Sequence, residues 1–201
     1  MKTTKIQKSI KRIKENIKEV EFKKLMASVR GSESIRANTK SNLLRTFTIL
    51  YYTGMRLNEL QDLRIYHIKE LLENETVKIT LQKTSSERKL YLTKEFKKQL
   101  LKIFDFEIED DTNRVISKGA NKNKKTAINN IVFIQQVNKF IKSILGSGYT
   151  SHSFRQGLIS EFGAKGVNIK IISKFVGHSD VKTTMRYITP TDEDIMMNLI
   201  R

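Results

Sequence analysis

The chain has no cysteine, no tryptophan and a single proline in 201 residues. Without cysteine there is no disulfide, no thiolate metal site and no thiol nucleophile, a pattern that fits an intracellular protein. The lone proline, Pro190, marks the end of the last helical pattern. No apolar run approaches the length of a membrane span. The first residues, Met1 to Arg12, are charged and lack the apolar core of a secretory signal, so neither export nor membrane insertion is expected. Acidic residues are also scarce. There are 21 against 38 lysines and arginines, a formal charge of +17. A domain this basic has a polyanion as its natural partner, nucleic acid or an anionic membrane surface. No amphipathic anchor carrying aromatic residues is visible, which favours nucleic acid. A coding bias toward lysine would give part of the same excess.

What is present is a set of periodic apolar segments, enough for one core. Ile6, Ile10, Ile13 and Ile17 recur at helical spacing in a lysine-rich segment from Met1 to about Lys24, and Gly31-Ser32-Glu33-Ser34 reads as a break. Residues 1–36 are therefore expected to form a basic arm. A helix is predicted from about Asn38 to Tyr52, with Leu43, Leu44, Phe47, Leu50 and Tyr51 on one face and Gly54 at its end. A short helix from Arg56 to Leu63 follows. Val77, Ile79 and Leu81 alternate with polar residues and predict a strand, returned by Arg88 to Leu92 with Leu90 and Leu92 inward. Thr93 caps a helix to Phe104. Residues from Glu107 to Asn130 read as a mobile polar loop, with Lys118, Lys122, Lys124 and Lys125 placed for phosphate contact. Helices are then predicted over Ile131–Leu145, Ser153–Lys165, Ile169–Val176 and Val181–Tyr187. The fold class is mainly α with a small antiparallel β-sheet (α+β).

The chemistry-bearing residues cluster late in the chain. Breaking and rejoining a phosphodiester puts negative charge on the non-bridging oxygens. Arginine suits that charge, because its planar fork donates two hydrogen bonds and stays cationic. A tyrosine nucleophile gives an ester of similar energy to the bond broken, so the reaction runs backwards without ATP. His152 and Arg155, three apart near a helix start, can face one phosphate. Gly177-His178 places a second histidine after a glycine turn, and Tyr187 lies on the next helix beside Arg186. Arg56, just past Gly54, can approach the same phosphate, with Glu59 to orient it. Lys83 sits at the hairpin tip. Taken singly, each has a structural alternative: a surface Arg–Glu pair, a capping histidine, a packing tyrosine. His67 is given no role, and the histidines do not form a metal-ligand set.

Taken together, the set resembles the tyrosine recombinases, the phage-integrase family. TGMRLNEL (Thr53 to Leu60) is similar to the first arginine box, HSFR (His152 to Arg155) to the H-x-x-R box, and VGHSDVKTTMRYITP (Val176 to Pro190) to the box with the nucleophilic tyrosine. LQKTSSERKLYL (Leu81 to Leu92) resembles the hairpin carrying the catalytic lysine. The resemblance covers about Asn38 to Pro190 and implies a catalytic domain over 37–190. It implies that Tyr187 attacks the scissile phosphate and that Arg56 and Arg155 hold its oxygens. Lys83 would protonate the departing 5′ oxygen, His152 would assist proton transfer, and His178 would donate a hydrogen bond to the phosphate. Glu59 would support the site. The implied partners are double-stranded DNA and further copies of the chain, a tetramer on DNA and a monomer free in solution. No metal, cofactor or nucleotide is implied. The location would be cytoplasmic, at the nucleoid in a prokaryote or for a phage protein.

Two features depart from the family pattern. Gln156-Gly157-Leu158 follows Arg155 where a histidine or threonine pair with small residues is common, so helix packing is expected to differ there. Fewer than forty residues precede the catalytic part, too few for the usual N-terminal DNA-binding domain; the chain reads as a short member or as a fragment. Residues 191–201, with Ile195, Met196, Leu199 and Ile200, would dock on a neighbouring protomer or fold back. Two other activities fit the same residues: a non-catalytic, recombinase-derived DNA-binding or regulatory protein, and a topoisomerase-like relaxer of DNA. A last helix displaced in the free protein would make assembly on DNA the switch.

Overall fold

The structure is a computed structural model that describes residues 15–82, 85–119, 125–188 and positions 192, 196 and 199. Its elements in chain order are α1 (Glu19–Gly31), α2 (Ala37–Thr53), a 3-10 turn (Glu59–Asp62), α3 (Ile65–Asn74), β1 (Thr76–Leu81), β2 (Ser86–Tyr91), α4 (Lys94–Ile103), α5 (Asn130–Leu145), α6 (His152–Ala164), α7 (Ile169–Val176) and α8 (Val181–Met185). The fold is mainly α with a two-stranded antiparallel sheet, as expected. No described helix is long and apolar enough to cross a membrane.

Helix α2 is the central post. It packs against α1, α4 and α6. Phe47, Ile49 and Leu50 are fully buried on it, each worth about 1.5–3 kcal/mol in area removed from water. Phe47 meets Phe154 of α6 at 5.7 Å and Phe140 of α5 at 5.9 Å between ring centres, so α2 brings the front and back of the chain together. A second, smaller cluster of Ile159, Ile172 and Val176, with Phe162, Phe175, Tyr187 and Ile188 against it, joins α6, α7 and the segment after α8. Short polar caps set the helix starts. Thr93 accepts the Phe96 amide of α4, Asn129 the Ile131 and Val132 amides of α5, and Asp180 the Lys182 amide of α8.

Four segments differ from the sequence expectation. The helical arm was expected over Met1 to Lys24, with Ile6, Ile10 and Ile13 now lying outside the described residues. The described helix begins instead at Glu19 and runs to Gly31. Its Phe22, Leu25, Met26 and Val29 are buried in the main core, so the segment is part of the packed body and not a separate arm. Just before it, Ile17 is buried and its amide donates to the Ser153 carbonyl at 3.0 Å. The helix expected from Arg56 to Leu63 shrinks to the 3-10 turn Glu59–Asp62. Helix α3, which the sequence reading passed over, is built on Ile65, Ile68 and Leu71. The described parts of the polar stretch 107–129 are pinned. Val115 and Ile116 are fully buried, Ser117 exchanges hydrogen bonds with Asn42, and Arg45 pairs with Glu109 at 2.6 Å. Val115 and Ile116 are adjacent and leave no period to read, and their partners lie far away in sequence.

Candidate active site

The site is assembled at the end of α2. The Thr53 hydroxyl donates to the Ile49 carbonyl at 2.6 Å and accepts the Met55 amide at 3.2 Å. Gly54 then closes the helix in the left-handed conformation, φ 57°. The chain leaves with Arg56 pointing to solvent on one side and to Glu59 on the other. Glu59 is 5% exposed and turns both carboxylate oxygens back. One accepts Arg56 Nη1 at 2.8 Å and the other the Arg56 amide at 2.9 Å. A buried carboxylate of this kind holds one face of the guanidinium and leaves the remaining donors for a ligand.

Arg155 comes from the first turn of α6. It is 3% exposed, and its Nη1 donates to the Gly54 carbonyl at 2.7 Å. Its Nε donates to His178 Nε2 at 3.3 Å. Its Nη2 is buried with no acceptor among the described residues. Burial, with Arg56 and Arg88 nearby, lowers the Arg155 guanidinium to about 9, so it stays charged at neutral pH.

His178 follows Gly177, which ends α7 in the left-handed conformation, φ 69°. Its Nδ1 lies 2.7 Å from the Thr184 hydroxyl. Burial first, then the positive charges of Arg155, Arg56 and Arg88, push the imidazole down to about 4. It is therefore neutral, and because Nε2 accepts from Arg155, the proton sits on Nδ1 and goes to Thr184. In the free chain Nε2 is therefore an acceptor.

Helix α8 ends at Met185, shorter than predicted, and Tyr187 lies in the turn after it. The half-buried ring stacks toward His178 with centres 6.3 Å apart. Its phenol is near enough to Arg155 to act on that guanidinium electrostatically. The free chain thus carries Tyr187 beside His178, and no hydrogen bond joins its hydroxyl to Arg56 or Arg155 among the described residues. His152, exposed at the start of α6, lines a hollow of about 310 Å³ with Arg56, Arg155, Met55 and Asn138. On the other side of Arg56 a larger hollow of about 870 Å³ is lined by Glu59, Gln82, Arg88, Arg114 and His178.

Arg56, Glu59, Arg155, His178 and Tyr187 are therefore drawn into one place, with His152 on its rim. Lys83, Lys122 and Lys124 lie outside the described residues. Lys118 is exposed and borders a separate hollow beside α5, Lys125 is exposed with its carbonyl accepting from Arg114, and Arg186 is exposed. Arg88 also reaches this place, although no motif in the sequence marks it. It faces inward in register with Ile79 and two residues before Leu90, and donates to the Thr53 and Val176 carbonyls. Its signal was alternation: an arginine falling on the apolar face of a strand.

Comparison with known proteins matches the sequence and the fold to a family. The model of the phage integrase family fits residues 15–194. The tyrosine recombinase XerC of Treponema denticola is 28% identical over 163 residues, 74% of this chain and 52% of that protein. The tyrosine recombinase XerA of Pyrococcus horikoshii is 23% identical over 195 residues, 97% of this chain and 62% of that protein. The chain thus spans a little over half the length of these curated relatives. Among solved structures, XerA recombinase superposes with a TM-score of 0.67 at 20% identity, covering 91% of this chain and 63% of that one. XerH bound to its difH substrate before cleavage superposes at 0.66 and 20% identity, over 96% and 55%. The catalytic domain of bacteriophage HP1 integrase superposes at 0.53 and 18% identity, over 93% of this chain and 95% of that domain. With the fold, the box order and the family match in agreement, this chain belongs to the phage integrase family, the tyrosine recombinases.

Proposed function

We propose that the chain is the catalytic part of a site-specific DNA recombinase that cuts and rejoins strands through a 3′-phosphotyrosyl intermediate. The observation that carries this is the Arg155 Nη2 donor, buried and without an acceptor among the described residues, beside a neutral histidine and a tyrosine. Such an orphan costs about 1–3 kcal/mol unless a ligand supplies the acceptor. A non-bridging phosphate oxygen supplies it, with Arg56 on a second oxygen.

In the step, Tyr187 Oη bonds to phosphorus and the bond to the 5′ oxygen breaks. The tyrosine proton passes to His152 and the 5′ oxygen takes a proton from Lys83. One ester replaces another, so the exchange needs no nucleotide hydrolysis. The phosphate's negative charge raises the His178 imidazole toward its ordinary range. Its ring then exchanges the Arg155 contact for donation to the phosphate. The +17 charge supports duplex DNA as substrate, with the lysines around 118–125 and Arg186 on the backbone. Met196 and Leu199, both 68% exposed, suit docking of the tail on a second copy, as tetrameric assembly on DNA requires.

The test is a nicked suicide substrate built from the DNA flanking the gene. Wild-type protein is expected to form a covalent adduct and Tyr187→Phe none, with binding within a few-fold. Normal binding with no adduct from either protein would leave the non-catalytic reading. Relaxation of supercoiled plasmid without any preferred site would favour the relaxer.

A further inference from the structure

Among the described residues, Arg88 is a buried charged side chain that the motif residues do not account for. Arg88 lies on β2 with its side chain 3% exposed. Burying a guanidinium is unfavourable unless its donors are met, and Arg88 Nε has no acceptor among the described residues. A small aliphatic residue would suit this face better for stability, so the position has to be understood from what the arginine holds. Nη2 donates to the Thr53 carbonyl at 2.8 Å. Thr53 is the last residue of α2 and precedes Gly54, whose own carbonyl seats Arg155. Nη1 donates to the carbonyl of Val176, the last residue of α7, two before His178. The same Nη1 stands 3.7 Å from Glu59 Oε2, the oxygen that accepts the Arg56 amide. Gly177 is shaped around this contact: a Cβ there would stand 2.7 Å from Arg88 Nη1.

We infer that Arg88 is a positioning residue for the phosphate pocket. Its fork ties the end of α2, the end of α7 and Glu59 to the β hairpin. It thereby fixes Arg56, Arg155 and His178 relative to one another and to the strands of the hairpin. It acts through these groups and does not itself meet the phosphate. Two divergent donors on one rigid plane are required, which a lysine ammonium on a flexible stem does not reproduce. The inference rests on the strand-transfer reading, because what Arg88 positions is the pocket that reading uses.

The test uses the full chain with Arg88→Lys and Arg88→Ala, reading three quantities. These are the adduct-forming rate at saturating DNA, the DNA concentration giving half that rate, and calorimetric affinity for inorganic phosphate. Arg88→Lys is expected to melt within a few degrees of wild type and to keep its half-saturating DNA concentration within about threefold. Its adduct rate should fall about 100-fold, since a misplacement near 1 Å costs that much. Its phosphate affinity should fall about tenfold, the worth of one charge-assisted hydrogen bond. Methylguanidinium is expected to restore Arg88→Ala where methylammonium does not. Wild-type rate and phosphate affinity in Arg88→Lys would overturn the inference while leaving the function standing. Losses that only follow the unfolded fraction, with no guanidinium rescue, would overturn it too. If wild type makes no adduct yet phosphate affinity falls in Arg88→Lys, the function fails and the positioning role holds.

Discussion

His67 shows how a single neutral histidine shapes this molecule's response to pH. It is 8% exposed and its Nδ1 accepts the Arg64 amide, closing the first turn of α3. Burial, helped by the Arg64 charge, pushes it from its ordinary 6.5 down to about 4. Between those values the unfolded chain binds a proton that the folded chain refuses, so stability rises with pH through that window and falls on acidification. The effect has an upper bound on the order of 3 kcal/mol. His67→Gln keeps an acceptor at the capping position without a titrating group. Urea titrations at pH 7 and pH 4.5 should show a smaller loss for the variant than for wild type. His178 adds a residual slope of the same sign, and an unchanged pH dependence would exclude His67 as a source. The identities of Arg56, Arg155, His178 and Tyr187 were legible because four short boxes stand in order along the chain. The direction of the His178 hydrogen bond was not, because it is set by Arg155, 23 residues away and on another helix.

Among the elements, α8 is the least supported. It has five residues, one buried side chain, Thr184, and a cap from Asp180. Isolated helices of that length do not persist, so its order is borrowed from the cap, from the bond between His178 and Thr184, and from α7. Asp180→Ala removes the cap, worth about 1 kcal/mol. Amide exchange at Thr183 to Tyr187 should speed several-fold, while the global unfolding midpoint moves little. Equal protection in the variant would show that α8 stands without its cap. Helices such as α2 and α5 were readable because their apolar faces keep the 3.6 period over several turns. Helix α3 has the same spacing in Ile65, Ile68 and Leu71, but its N-cap residue is Arg64 and its cap is a histidine, so no start signal marks it. The strand β2 was found, yet its inward arginine was not, since a charged residue in a strand is ordinarily solvent-facing.

For the whole molecule, the seat of the N-terminal segment on α6 matters most. The amides of Glu15 and Ile17 bond to the carbonyls of Gly148 and Ser153, and the Ile17 backbone crosses directly over Gly157. A Cβ at 157 would collide with the Ile17 carbonyl, so the close approach of this backbone requires glycine there. Gly157→Ala should destabilise the protein by about 1–3 kcal/mol in chemical denaturation, as overpacking does. An unaltered midpoint would mean that residues 15–17 are not held there in solution.

The longest hydrogen bonds of the pocket join partners 101 residues apart, Arg155 to Gly54, and 88 apart, Arg88 to Val176. During synthesis, then, the front half emerges with its arginine and its carboxylate but with nothing to complete them. A ribosome-bound half-chain holds Arg56 against Glu59 but lacks the helix that brings Arg155. Arg155, His178 and Tyr187 arrive only with α6, α7 and the turn after α8, so the pocket is completed only once the chain from α6 onward has been made.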